Sequence, residues 1–400
     1  MRMLFVVLLF IVALPVLSAQ EPMITPPTDS QAFALDLYDV IRAEEGNLFF
    51  SPYSINTALL MTYIGARENT AQQMRDVLHI RADDPLLNQL VNDYTQLILA
   101  NNNADKTEYN PERIFTVSNN LWIQQDFALL PTYPQTLTEF YNAQIVPLNF
   151  RNDPQGSRQQ INDTVAEQTR QRIQDLIPDG IINADTRLIL TNAIYFKANW
   201  AKKFENLGDK PFTLADSTVI DAPAMRVLSD LRYLAGDGFI AVAVPYDGYQ
   251  AQMVIILPDD LTAYETALPQ TGLPNVHDAR LTPVRLTMPK FEFTRDFSLS
   301  DALITLGMTD AFDQNLANFR NIADADLFIQ EVLHKAFIAV DEFGSEAAAA
   351  TAVIIGVTSA MPNPQAPIDI VVDKPFLFYI QDTTTAEILF MGRVMNPTER

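Results

Sequence analysis

The sequence predicts an α+β fold, with helices gathered early in the chain and strands dominating later. Three observations carry this. Apolar residues recur at helical spacing between residues 33 and 80, strand-like apolar runs take over from about residue 114, and the two textures never settle into a regular βαβ repeat. Of the 400 residues, 48% are hydrophobic and 19% charged. That is enough apolar material for a large core and too much for a disordered chain. No Gly/Ser linker, long charge run or short repeat interrupts the sequence, so residues 31–400 read as a single domain.

The elements follow in chain order. Arg2 gives a short positive start, residues 4–14 are continuously apolar, and Leu17-Ser18-Ala19 resembles a cleavage site. This is the form of a secretory signal peptide, residues 1–19, cleaved after Ala19; an uncleaved anchor is the alternative. Residues 20–30 hold three prolines and read as a tether. Phe33, Leu37, Val40 and Ile41 then share one helical face, with Asp29 or Ser30 as the cap and Gly46-Asn47 as the stop. Pro52 opens a second helix, whose inner face continues through Ile55, Leu59 and Thr62. Residues 69–80 read as a third. Strands are expected over 114–123 and 188–196. The apolar runs 241–245 and 251–257 flank Asp247-Gly248, a strong hairpin signal. Residues 284–293 and 328–342 alternate in part, and 368–372, 376–380 and 388–394 close the chain with strands. Residues 155–177 and 298–306 are helical.

Charge and chemistry narrow the function. A net charge of -22 leaves no basic surface for nucleic acid, an anionic membrane or heparin. The stretch after Ile80 carries Asp83, Asp84, Asp93 and Asp105 where a polyanion site would need cations. The chain has no cysteine, so stability rests on core size, and thiol-based metal or redox chemistry is excluded. The sequence lacks G-x-S-x-G, H-E-x-x-H, G-x-x-x-x-G-K-[ST] and G-x-G-x-x-G. Three histidines, His79, His277 and His334, do not suggest a metal site, and no cofactor is implied. A two-carboxylate glycosidase is the one enzyme reading left open.

One segment is anomalous. From Ala347 to Ile368 there is no charged residue, in a strongly acidic chain. Four alanines favour a helix. Thr351, Val353, Ile354, Ile355, Val357 and Thr358 favour a strand. Gly356, Pro362, Pro364 and Pro367 break either one. A buried strand or core helix is one reading. The other is a loop that enters a sheet: Gly344, Ser345, Ala347, Ala348, Ala349 and Ala350 are small. In an inserted strand, Ser345, Ala347, Ala349, Thr351, Val353 and Ile355 would share a face.

Several motifs, in order and at matching separations, resemble the serpin family over nearly all of the chain after the leader. They are Asn47-Leu48-Phe49-Phe50-Ser51-Pro52-Tyr53-Ser54-Ile55, Leu190-Thr191-Asn192-Ala193-Ile194-Tyr195-Phe196-Lys197, Asn199-Trp200, Met288-Pro289-Lys290-Phe291 and His334-Lys335-Ala336. The run Asp341-Glu342-Phe343-Gly344-Ser345-Glu346 leads into the alanines and Thr351. Lys374-Pro375-Phe376-Leu377-Phe378 and Phe390-Met391-Gly392-Arg393-Val394-Met395-Asn396-Pro397 close the series.

The resemblance implies three β-sheets, eight or nine helices and an exposed reactive-centre loop at about residues 343–367. It implies a non-enzyme that traps serine proteases. The protease cuts the loop and is held as an acyl-enzyme while the loop inserts into the main sheet. The hinge residues Glu342, Gly344, Ser345, Ala347, Ala348, Ala349, Ala350 and Thr351 fit the inhibitory type, as a bacterial-like secreted member. A non-inhibitory binding or carrier protein is the alternative. Counting from Glu342 places the cut at Thr358–Ser359, with Val357 and Met361 as alternatives. Small residues there suit elastase-like or subtilisin-like proteases. Ser51, Ser54, Asn192 and His334 match the shutter beneath the main sheet, and Trp200, Lys290 and Glu342 the breach, where a Lys290–Glu342 ion pair is expected. The resemblance further implies a monomer that forms a covalent complex with its protease and is capable of loop–sheet polymers, located extracellularly or in a periplasm.

Overall fold

The structure, a computed structural model, describes residues 26–103, 114–345 and 366–400. The leader at residues 1–19, the start of the tether and Asp105 lie outside the described residues. Helix α1 (Ser30–Ile41) starts where Asp29 accepts a hydrogen bond from Ala32 N–H at 3.2 Å, and it buries Phe33, Leu37 and Ile41. The chain then turns at Gly46 (φ 80°) into β1 (Leu48–Phe50). In α2 (Pro52–Tyr63), Pro52 occupies the first turn, where its missing N–H costs nothing, and Ser51 caps Ser54 N–H at 3.1 Å. α3 (Glu68–Val77) stops short of the expected residue 80, because His79 takes a left-handed backbone. α4 (Asp84–Asn103) follows, burying Leu87, Val91, Tyr94 and Ile98 along one face.

The middle of the chain is β2 (Ile114–Gln124), α5 (Thr132–Tyr141), β3 (Gln144–Leu148), α6 (Pro154–Gln168), β4 (Leu188–Asn199), β5 (Glu205–Thr213) and β6 (Val219–Gly236). α6 ends well before residue 177, since Arg170, Gln171 and Asp175 all adopt positive φ. β7 (Phe239–Pro245) and β8 (Ala251–Pro258) form the expected hairpin, with Gly248 at φ 84° in its turn. Then come α7 (Leu261–Thr271), β9 (Leu281–Pro289), β10 (Phe291–Ser298), α8 (Ser300–Leu306), β11 (Leu333–Val340), β12 (Gly344–Ser345), β13 (Ile368–Val371), β14 (Phe376–Asp382) and β15 (Ile388–Val394).

Two expected strands are corrected. Residues 284–293 are two strands, β9 and β10, in different sheets; the break falls at Pro289-Lys290, where proline supplies no ladder donor. Residues 328–332 are not strand. β10 stops pairing at Ser298↔Leu333 and α8 begins, so the ladder does not continue through them.

One sheet has six strands in the order β10-β11-β12-β4-β2-β3, and the other has nine, β1-β15-β14-β8-β7-β6-β9-β13 with β5 on β6. The three expected sheets are all recognisable, but the eighteen-residue β6 belongs to two of them. It pairs with β5 up to Arg226, with β9 up to Arg232 and with β7 from Arg232 onward, fusing both into one network. Eight α-helices are present among the described residues. A core of Phe49, Phe196, Trp200, Phe293, Phe378 and Phe390 lies between the sheets, and α1, α2 and α4 close a second core on the far side of the nine-stranded sheet.

Candidate strand-acceptor site

In the six-stranded sheet, β12 stands between β4 and β11, and among the described residues it is what joins their ladders. Ser345 pairs with Ala198 on one side and Val340 on the other, and Gly344 pairs with Asn199. Both residues are buried. Glycine is required here: a Cβ on Gly344 would stand 2.0 Å from the Ala198 carbonyl oxygen. The Ser345 hydroxyl shares a 2.5 Å hydrogen bond with Tyr246 OH, whose pKa is raised by burial. Below this short strand the sheet is parted. A cleft of about 450 Å³ lies between the lower halves of β4 and β11, lined by Leu190, Asn192, Val332 and His334 and floored by Ile55 and Leu59 of α2.

Of the four residues matched to the shutter, Ser54, Asn192 and His334 line this cleft, and Ser51 is hydrogen-bonded to His334. Ser51 N–H donates to His334 Nε2 at 3.1 Å, and Ser51 Oγ donates to the Leu389 carbonyl at 2.6 Å. Ser54 Oγ donates to Asn192 Oδ1. Burial lowers the His334 pKa to about 4, so Nε2 is the unprotonated acceptor that Ser51 needs. The chain continues through a residue that the motifs do not point to. Asn192 Nδ2 donates to Asn119 Oδ1 at 2.5 Å, and Asn119 Nδ2 donates to the Tyr141 carbonyl at 2.6 Å. Its signal was an Asn119-Asn120 pair inside the otherwise strand-like run 114–123. Buried polar groups in a strand demand partners, and here they tie β2, β4 and α2 together.

At the upper end the breach residues converge on the turn between β11 and β12. Trp200 Nε1 donates to the Asp341 carbonyl at 2.9 Å. Lys290 Nζ bonds Glu342 Oε1 at 2.9 Å, as the sequence led us to expect, with the Glu342 side chain only 12% exposed. Burial opposes ionisation of Glu342, but the Lys290 ammonium outweighs it and holds the carboxyl below its usual range. Lys203 Nζ sits 3.8 Å from the centre of the Phe343 ring. Burial raises the Asp341 carboxyl above its usual range, against the two backbone N–H groups it accepts. The remaining hinge residues Ala347, Ala348, Ala349, Ala350 and Thr351, and the bond candidates Val357, Thr358, Ser359 and Met361, lie outside the described residues. Among the described residues, no group of three or more His, Asp or Glu side chains is placed to hold a metal ion.

A β-strand slot, gripped at its upper end by a glycine-serine pair, is therefore the main chemical feature of the chain. A family model described as serpin (serine protease inhibitor) matches residues 28–397. A serpin-like protein of Thermococcus kodakarensis is 36% identical over 374 residues, covering 92% of this chain and 85% of that one. The leukocyte elastase inhibitor of Xenopus tropicalis is 34% identical over 380 residues, covering 91% of this chain and 97% of that one. Among solved structures, the thermophilic serpin tengpin in its native state superposes with a TM-score of 0.79 at 28% identity, covering 92% of this chain and 93% of that one.

Proposed function

The chain belongs to the serpin family, and from that premise we propose that it is a secreted suicide inhibitor of elastase-like or subtilisin-like serine endopeptidases. The observation that carries this reading is the position of Gly344 and Ser345, paired on both sides at the mouth of an otherwise parted sheet. Extended without a bulge, this register would carry the loop down both β4 and β11. Each later loop residue would face a residue one earlier on both β4 and β11, which puts Thr351 opposite Asn192 and His334 and Ile355 opposite Leu188. The uncharged row Ala347, Ala349, Thr351, Val353 and Ile355 can then turn inward with Ser345. Carrying a cut end at Thr358 down this slot would move it by roughly 46 Å, at ~3.3 Å per residue. A protease joined to that end as an acyl-enzyme travels with it.

The specificity follows from the side chains at the bait. Val357, Thr358 and Ser359 are small, and the nearest downstream cation is Lys374. A protease with a small or shallow specificity pocket accepts them, and one that selects Arg or Lys does not. The leader at residues 1–19 supports export. The relative from Xenopus tropicalis is named for elastase inhibition, which agrees with this class of target.

Incubation with pancreatic elastase or subtilisin should give a covalent complex that survives boiling in detergent. Mass spectrometry should find the new carboxyl end at Thr358. Clean cleavage without a complex would overturn the inhibitory reading and favour a binding or carrier protein.

A further inference from the structure

Asp341 stands at the reversal between β11 and β12 but is not among the breach or hinge residues the motifs single out. A hydrogen-bond accounting of the turn shows its part. The Asp341 carbonyl accepts Trp200 Nε1–H at 2.9 Å, the Glu342 carbonyl accepts Phe204 N–H at 2.9 Å, and the Phe343 carbonyl accepts Trp200 N–H at 2.7 Å. The Gly344 carbonyl accepts Asp341 N–H at 3.0 Å, closing the ring of the turn. All four carbonyls are thus held. Two amides point the other way, and a single atom serves both: Asp341 Oδ1 accepts Phe343 N–H at 2.7 Å and Gly344 N–H at 3.2 Å. Without that oxygen, two backbone donors lose their acceptor at the half-buried base of the loop.

We infer that the Asp341 carboxylate is a positioning residue for loop insertion, holding the chain reversal that delivers Gly344 and Ser345 in register between β4 and β11. The inference rests on the inhibitory reading above. Entry of a new strand into a closed sheet is limited by its first pairings, since chain entropy is lost before ladder bonds repay it. Here the first pairings, Gly344 with Asn199 and Ser345 with Ala198 and Val340, are already in place. A carboxylate fits the task through its short reach and its capacity for two donors. The role differs from that of Glu342, whose carboxylate engages the Lys290 side chain.

The test compares the unmodified protein with Asp341→Ala and Asp341→Asn. Asn keeps an acceptor oxygen at the same place and should behave as the parent. Ala should slow insertion about tenfold, as expected for two lost hydrogen bonds. The acyl-enzyme would then be hydrolysed more often, and the number of inhibitor molecules consumed per subtilisin molecule trapped should rise several-fold, with the initial association rate unchanged. A merely structural role would lower thermal stability without moving this partition. If the Ala variant does not fold, Asp341→Glu, which displaces the oxygens by one methylene, carries the same expectation. Hydrogen exchange in the intact protein gives a second measurement, independent of any protease. The Phe343 and Gly344 amides should exchange about fivefold faster or more in the Ala variant and normally in the Asn variant. An unchanged partition in Ala, a partition in Asn as poor as in Ala, or unchanged amide exchange each overturns the inference. If the unmodified protein traps no protease, the inhibitory reading fails on its own, and the exchange rates still decide whether Asp341 holds the turn.

Discussion

At the scale of single residues, two buried titratable groups pull the pH dependence of stability in opposite directions. His334 has an ordinary value of 6.5 lowered to about 4 by burial. The unfolded chain binds its proton between these values and the folded chain does not, so this contribution is lost as pH falls from 6.5 towards 4. Glu387 is the reverse. It accepts hydrogen bonds from Ser30 Oγ at 2.7 Å and Tyr94 OH at 3.0 Å, with no ion-pair partner among the described residues, and burial raises it from 4.5 to about 7. The folded chain keeps its proton where the unfolded chain has released it, so this contribution is lost as pH rises from 4.5 to about 7. Each amounts to about 3 kcal/mol at most. Between pH 4.5 and 6.5 the two slopes nearly cancel. Glu387→Gln should therefore lose stability on acidification through this window relative to the parent, and His334→Asn should gain it, measured by urea denaturation at several pH values. Parallel profiles for all three proteins would refute the argument. His334 drew notice in the sequence because a short motif carries it. Glu387 was not, because a carboxylate in an acidic chain attracts no notice until its burial is seen.

At the scale of elements, legibility followed local chemistry. The β7–β8 hairpin and the start of α2 were readable because Asp247-Gly248, Ser51 and Pro52 dictate their own backbone. Residues 284–293 misled because alternation persists through a chain that changes sheets at Lys290, and alternation reports a half-buried strand without saying whose strand it is. β5 and β6 went unread, since β5 is exposed along most of its length and offers no apolar period. β12 was legible only as a cluster of small residues; its two-sided pairing depends on strands more than a hundred positions away or on the opposite side of a turn. Ser345 tests that element directly. It is 3% exposed and faces Tyr246, so an arginine there would be a buried, unpaired charge costing several kcal/mol. Ser345→Arg should leave the protein folded with its hinge outside the slot. Incubated with subtilisin, it should be cut at the loop as a plain substrate, and a detergent-stable complex formed as readily as by the parent would sink the insertion model.

For the whole molecule, the parted sheet is the feature that sets its energetics. The protein has no disulfide to stiffen it, and its two large cores pack against sheets of which one is divided between β4 and β11. On the inhibitory reading proposed above, such a chain would be held in its folded form by a barrier, with a more fully paired arrangement of the same sequence open to it. Cutting the loop would then remove the tether that prevents that arrangement. The freed strand would then pair on both edges, with β4 from Ala198 to Leu188 and with β11 from Val340 to Leu333, and would fill the cleft of about 450 Å³. About seventeen new ladder hydrogen bonds, one per facing pair, at ~0.6 kcal/mol each give a gain of ~10 kcal/mol. At ~2 °C per kcal/mol for a chain of this size, the thermal midpoint should rise by ~20 °C. The measurement is differential scanning calorimetry of intact protein and of protein nicked within residues 346–365 by a protease that does not stay bound. The same rise should appear whichever protease makes the cut, because the gain belongs to the sheet and not to the enzyme. A midpoint that does not move on cleavage would mean that the slot is closed to the loop, and the molecule would then be a carrier built on the same frame.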